Sequence, residues 1–181
     1  MGKILEPHPV KLFIGMLSQD ISLIEQLTDD LCNIFGPIDL SSPVLPWEHT
    51  RYYEKEMGTG MKRKFVFFIT LIPPGEIAGI KIKTIGLEKR YLNESGGRKI
   101  NLDPGYLDAA KIVLVSTKDF SHRIYLEQGI YGEVTLIFSG KDYHVLPYTF
   151  PDYRTSEYQR IFKAARELFK TGMKIYLKPD Q

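Results

Sequence analysis

One segment, Lys62–Ile72 (KRKFVFFITLI), constrains the fold more than any other. It carries apolar side chains on both faces of an extended chain. Strands of that kind belong inside a sheet, with cover above and below. The other elements must be arranged around it. Upstream, Val10–Leu17 (VKLFIGML) reads as a buried first strand, and Ser18-Gln19-Asp20 supplies capping side chains. Ile24, Leu27, Leu31 and Ile34 then fall on one stripe of a helix over 21–35, ended by Gly36-Pro37. Ile38–Leu45 reads as a second strand closed by Pro46. In Trp47–Gly58, alternation sets His49, Arg51 and Tyr53 against Tyr52 and Glu54, with a turn at 57–60.

Downstream, Pro73-Pro74-Gly75-Glu76 opens a helix whose body runs from Ile77 to Leu92. Ala78, Ile82 and Ile85 line one side, and Ile77, Ile80 and Leu87 widen it. Alternation at Ile80 and Ile82 also fits a strand. Asn93–Gly97 is a polar loop, and Ile100–Leu102 a short strand before a reversal at Asp103-Pro104-Gly105. Strands follow within Tyr106–Thr117 and at His122–Leu126, Tyr131–Phe138 and Tyr143–Leu146. Thr155–Lys170 is an amphipathic helix with Tyr158, Ile161, Phe162, Ala165, Leu168 and Phe169 on one face. The expected fold is α+β: a ferredoxin-like βαββαβ core, extended by further antiparallel strands and the C-terminal helix. Residues 1–181 are expected to form a single domain, with 1–9 and 173–181 as flexible tails.

With 181 residues, 43% of them hydrophobic, such a chain can bury a core without disulfides or a structural metal. A net charge of +2 argues against a dedicated nucleic-acid binder. Cys32 stands alone among apolar helix positions and reads as an inert thiol. The N-terminal residues do not resemble a signal peptide, and no stretch approaches the ~20 apolar residues of a membrane span. A soluble cytoplasmic protein is expected, with homo-oligomerisation left open.

Several segments carry groups suited to chemistry. Gly129 favours a three-residue loop, 128–130, between the strands at 122–126 and 131–138. That register points Ile124, Leu126, Val134 and Leu136 inward and presents Arg123, Tyr125, Tyr131, Glu133 and Thr135, with Tyr125 opposite Glu133. The presented groups are equally a solvent-facing ion pair. Gly96-Gly97-Arg98-Lys99 could offer backbone N–H groups and cations to a phosphate, or be a simple turn. Neither GxxxxGK[ST] nor GxGxxG occurs. His8, His49, His122 and His144 lack zinc-like spacing, whereas Asp103, Glu133 and Asp152 could serve a magnesium or manganese ion from separate loops. His122 is either an acid–base group or a hydrogen-bonded structural residue, and no GxSxG elbow occurs. In Pro147–Arg154 (PYTFPDYR), Tyr148, Tyr153 and Arg154 could form an aromatic wall and an arginine clamp. Asp152 or Thr155 could instead cap the helix that follows.

RKINLDPGYL (98–107), STKDFSHRIYL (116–126), GIYGEVTL (129–136) and TFPDYR (149–154), together with Tyr52-Tyr53 and Glu56-Met57-Gly58, resemble an uncharacterised prokaryotic family of unknown function. The resemblance covers almost the whole chain. Some members carry the label GTP-binding protein, although the P-loop and NKxD-type motifs that label ordinarily needs are absent. The resemblance points to Arg98, Asn101, Asp103, Tyr106, Lys118, His122, Arg123, Tyr125, Glu133, Asp152, Tyr153 and Arg154, and implies bulkier residues at Gly86 and Gly132 in other members. Three functions follow as expectations. The first is binding of a phosphate-bearing small molecule such as a nucleotide, GTP among them, by Arg98, Lys118, Arg123 and Arg154. The second is a metal-assisted hydrolase built on Asp103, Glu133 and Asp152. The third is a protein-interaction module. The cofactor is left unspecified.

Overall fold

A computed structural model describes residues 2–49 and 53–177. β1 (Val10–Ser18) leads into α1 (Ile21–Phe35), where the Asp20 carboxylate accepts from the Leu23 N–H at 3.1 Å. Gly36, at φ +96°, ends the helix with its N–H on the Cys32 carbonyl. β2 (Ile38–Ser41), β3 (Leu45–Pro46) and a short helix α2 (Glu54–Met57) precede the long β4 (Lys62–Ile72). A 3₁₀ turn at Pro74–Glu76 opens α3 (Ile77–Glu88). Then come β5 (Asn101–Leu107), β6 (Lys111–Ser116), β7 (Ile124–Glu127), β8 (Ile130–Ser139) and β9 (Asp142–Val145). A second 3₁₀ turn at Asp152–Arg154 leads to α4 (Ser156–Tyr176), capped by the Thr155 hydroxyl.

The nine strands of the described residues join one antiparallel sheet in the order β2-β4-β1-β5-β6-β8-β7, with β3 beside β4 and β9 beside β8. Alternation in β1 and β4 sends side chains to two cores. Leu12, Ile14, Met16, Val66 and Phe68 meet α1 and α3 on one face. Phe13, Phe65 and Phe67 meet α4 on the other. There the Phe162 ring lies 4.9, 5.3 and 5.5 Å from those three phenylalanines. The two-faced apolar pattern of Lys62–Ile72 thus reflects helices on both sides. No helix among the described residues is long and apolar enough to cross a membrane.

Several expectations are corrected. Asp103-Pro104-Gly105 makes no reversal but runs straight through β5. The β6 ladder begins only at Gly105, so Pro104 sits at its end, where a missing N–H is tolerated. Gly105 is dictated by packing, since a Cβ there would lie 2.5 Å from both the Phe13 ring and the Val113 carbonyl. The β7–β8 connection is a two-residue turn, Gln128-Gly129, with φ of +50° and +78°. Tyr125 therefore faces Tyr131 rather than Glu133, and a bulge before Glu127 sets Leu126 over Gly132. Glu133 is buried, and Ile124 is exposed. Glu54–Met57 is helical rather than extended, while Arg51 and Tyr52 lie outside the described residues. α3 stops at Glu88 with Ile82 exposed, and α4 continues past Gly172 to Tyr176.

The glycines offer a paired test by urea denaturation. Gly105→Ala should lower stability by about 1–3 kcal/mol through overpacking. Gly86→Ala, in α3 with nothing near its added methyl, should raise it by about 0.5–1 kcal/mol.

Candidate functional site

Buried charge collects at one end of the sheet, where β1 and β6 finish and β4, β5 and β8 begin. Three guanidinium groups organise it. Arg63, at the start of β4, extends over β1 to reach β5. Its NH1 donates to Asp103 Oδ2 at 2.9 Å, and its NH2 lies 3.6 Å from Asp152 Oδ2. Gly15 permits this crossing, because a Cβ there would lie 3.1 Å from Arg63 NH1 and 3.0 Å from the Phe65 ring. Trp47 Nε1 donates to the same Asp152 oxygen at 3.0 Å, and the Arg63 guanidinium lies 5.9 Å from the Trp47 ring. Burial alone would favour the neutral forms of Arg63 and Asp103. Their mutual attraction prevails, holding Arg63 above and Asp103 below the usual range. Burial raises the Tyr153 and Tyr158 phenols beside them, so both stay protonated.

Arg98 forms the second centre. Its Nε and NH2 grip the two Glu56 oxygens at 2.7 and 2.9 Å, and its NH1 donates to Asn101 Oδ1 at 2.8 Å and Glu88 Oε2 at 3.3 Å. The bidentate clamp ties α2 to the 93–99 loop. Gly97 lets this loop close on α2, since its Cβ would lie 2.8 Å from the Glu56 carbonyl. The hydrogen bond from Arg98 holds the Glu56 carboxyl below its usual range. Burial pushes Glu88 upward, despite Lys81 and the Leu102 N–H.

The third centre is Glu133 on β8. One of its oxygens accepts from Arg123 Nε at 2.7 Å and lies 3.0 Å from His122 Nε2. Thr135 approaches the other at 3.4 Å. Arg123 NH1 donates to the Lys118 carbonyl at 3.0 Å, and its guanidinium lies 4.7 Å from the Phe120 ring. His122 stacks on Tyr148 with centroids 4.3 Å apart and planes 13° from parallel. Residues 8–169 match the model of a family described as Domain of unknown function (DUF4416). The chain belongs to that family. No curated protein and no solved structure matches it.

In this DUF4416 chain the expected site residues divide. Arg98, Asn101, Asp103, Lys118, His122, Arg123, Glu133 and Asp152 share the polar end, where the Lys118 charge acts on Glu56. Tyr153 packs there against Phe65, 6.0 Å away. Arg154 folds back on its own loop, donating to the carbonyls of Thr149 and Pro147 at 2.8 and 2.9 Å. Tyr125 is exposed on β7, 5.4 Å from Tyr131. Tyr106 stands at the far end of β5, beside an apolar cavity of about 590 Å³ with Phe169 and Met173. Asp103, Glu133 and Asp152 do not form a metal sphere: two engage Arg63, and the third is held by His122 and Arg123. Among the described residues no three His, Cys, Asp or Glu side chains gather in a way that could hold a metal ion.

Sequence reasoning missed Arg63, Gly15, Glu56, Glu88 and the role of Tyr148. Gly15 carried a signal, because an isolated glycine inside an apolar strand marks close approach by another group.

Acid should expose this arrangement. Ionised Asp103 and Glu56 have lowered values, so their stabilisation is complete above the unfolded values of 3.8 and 4.5 and is lost as pH falls through the folded ones. Asp103→Asn should cost up to about 3–5 kcal/mol near neutral pH, the lower part of that range if Asp152 compensates Arg63. It should also flatten the acid limb of a urea-midpoint profile.

Proposed function

We propose that this chain binds a small phosphate-bearing molecule at the polar end of the sheet, with His122 as the contact group and a nucleotide such as GTP as the specific form. The setting of His122 carries the reading. Nε2 is held by Glu133, the ring is stacked on Tyr148, and Nδ1 has no hydrogen-bond partner among the described residues. With both ring nitrogens protonated, a ring held through Nε2 can donate from Nδ1 to a phosphate oxygen without losing its anchor. Arg98 and Arg123 are engaged by carboxylates and carbonyls and shape the site, and Arg154 is held by the carbonyls of its own loop, so this reading has none of the three meet the anion. Phe120, half exposed and 6.0 Å from His122, offers a face on which a base can stack.

The same reading takes residues 1–181 as one domain with a ferredoxin-like core. Its support is the order β2-β4-β1-β5, in which α1 and α3 each connect strands separated by one other.

Thermal denaturation tests the site. A ligand present at 100 times its Kd should add about 2.7 kcal/mol, a rise of several degrees for a chain of this size. GTP, ATP and inorganic phosphate are the probes, at about 1 mM against micromolar Kd values. His122→Ala should abolish the rise, and Arg154→Ala should retain it. No rise with any of the three probes in the wild type would contradict the reading.

A further inference from the structure

α4 overruns the sheet that it covers. Along one stripe of the helix Phe162 and Phe169 are buried, Met173 is half-buried, and Leu177 just beyond it is 58% exposed. The cover ends there because β1 and β6 begin only at Val10 and Lys111. The overrun closes one side of the apolar cavity of about 590 Å³. Pro7 and Pro9 before β1, Pro74 after β4 and the turn between β5 and β6 form the rest of its wall. Its volume is that of a small-molecule pocket, about 300–1,000 Å³. The three prolines bring ring carbons and no N–H, so this wall gives the backbone of a peptide few donors. A compact occupant rich in hydrocarbon fits it better.

The charges around the cavity are unevenly matched. Lys111, Lys170 and Lys174 line it, and Asp108 is the one carboxylate among the described lining residues. Both Asp108 oxygens are taken. Oδ1 accepts from the Ala110 and Lys111 N–H groups at 2.7 and 2.8 Å, and Oδ2 accepts from the Lys111 ammonium. Lys170 donates to the exposed Glu167 one turn back at 2.9 Å. Lys174 has neither an ion-pair nor a hydrogen-bond partner among the described residues. Burial raises the Tyr106 phenol above its usual range, so that wall adds no negative charge. A lysine stem can lie along apolar surface while its ammonium stays at the water boundary, which sets a cation at the mouth of a hydrocarbon-lined space. We propose that this cavity binds a single-chain amphipathic carboxylate, a free medium-chain fatty acid, with its alkyl chain against Phe169 and Met173 and its carboxylate beside Lys174. The site lies at the opposite end of the sheet from His122 and does not depend on any ligand bound there.

Isothermal titration calorimetry of the full chain with hexanoate, octanoate and decanoate tests the site. Affinity should rise about fourfold with each added methylene, the gain expected from burying hydrocarbon. Octanoate should bind more tightly than octanol, which has the same chain and no charge. Lys174→Glu, at an exposed position, should weaken octanoate about tenfold and leave octanol unchanged. In methyl spectra of the methionines, decanoate should move the Met173 signal. The signals of Met57 and Met61, which pack with Trp47 at the polar end, should stay in place. No binding of decanoate at about 1 mM, a Met173 methyl that does not move, or octanoate affinity that Lys174→Glu leaves intact would overturn the proposal.

Discussion

The reach of Arg63 across β1 to Asp103 is the interaction on which the polar end of this protein depends. A guanidinium buried among Phe65, Tyr153 and Tyr158 would be costly without compensation, and two carboxylates supply it from different parts of the chain. Asp103 belongs to β5. Asp152 belongs to the turn that enters α4 and is also fixed by Trp47. One side chain therefore couples the start of β4, the start of β5, the 147–154 segment and the loop around Trp47. Gly15 eases this coupling, because a Cβ there would crowd the guanidinium at 3.1 Å from Arg63 NH1.

The neighbouring centres follow the same logic with different partners. Arg98 closes the 93–99 loop onto α2, and Asn101 lies between it and the Asp103 region. Arg123 fixes the 118–123 segment against Glu133. In each case the positive charge is largely spent within the molecule, in hydrogen bonds that set loop positions. His122 differs. Its carboxylate partner and its stacked tyrosine orient the ring, and neither uses Nδ1. Arg123 is thus committed to structure, while His122, a residue away, keeps Nδ1 without a hydrogen-bond partner among the described residues.

Elements with strong periodicity could be read from the sequence. Val10–Leu17, the helix stripe over 21–35, Lys62–Ile72 and the apolar face beginning at Tyr158 bury most of their apolar positions, with Ile34, Ile69 and Leu168 exposed. Failures came where a local signal met a non-local constraint. Asp103-Pro104-Gly105 has the composition of a turn, yet Gly105 is there because Phe13 and Val113 leave no room for a side chain. The β7–β8 register turned on whether Gln128 would adopt positive φ, which a single glutamine does not announce. The site was legible as a cluster of polar residues but not as a set of pairings. Arg63 finds Asp103 40 positions away, and Trp47 finds Asp152 105 positions away. Such partners appear only once strand order is known.

The central claim is that His122 is anchored through Nε2 and acts through Nδ1. Long-range ¹H–¹⁵N correlation spectra of the imidazole nitrogens during a GTP titration test it most directly. The free protein should show a proton on Nε2, and the Nδ1 resonance should move to that of a protonated, hydrogen-bonded nitrogen and saturate as GTP is added. A free-protein ring with its proton on Nδ1 and none on Nε2, or His122 resonances that stay fixed at saturating GTP, would contradict it.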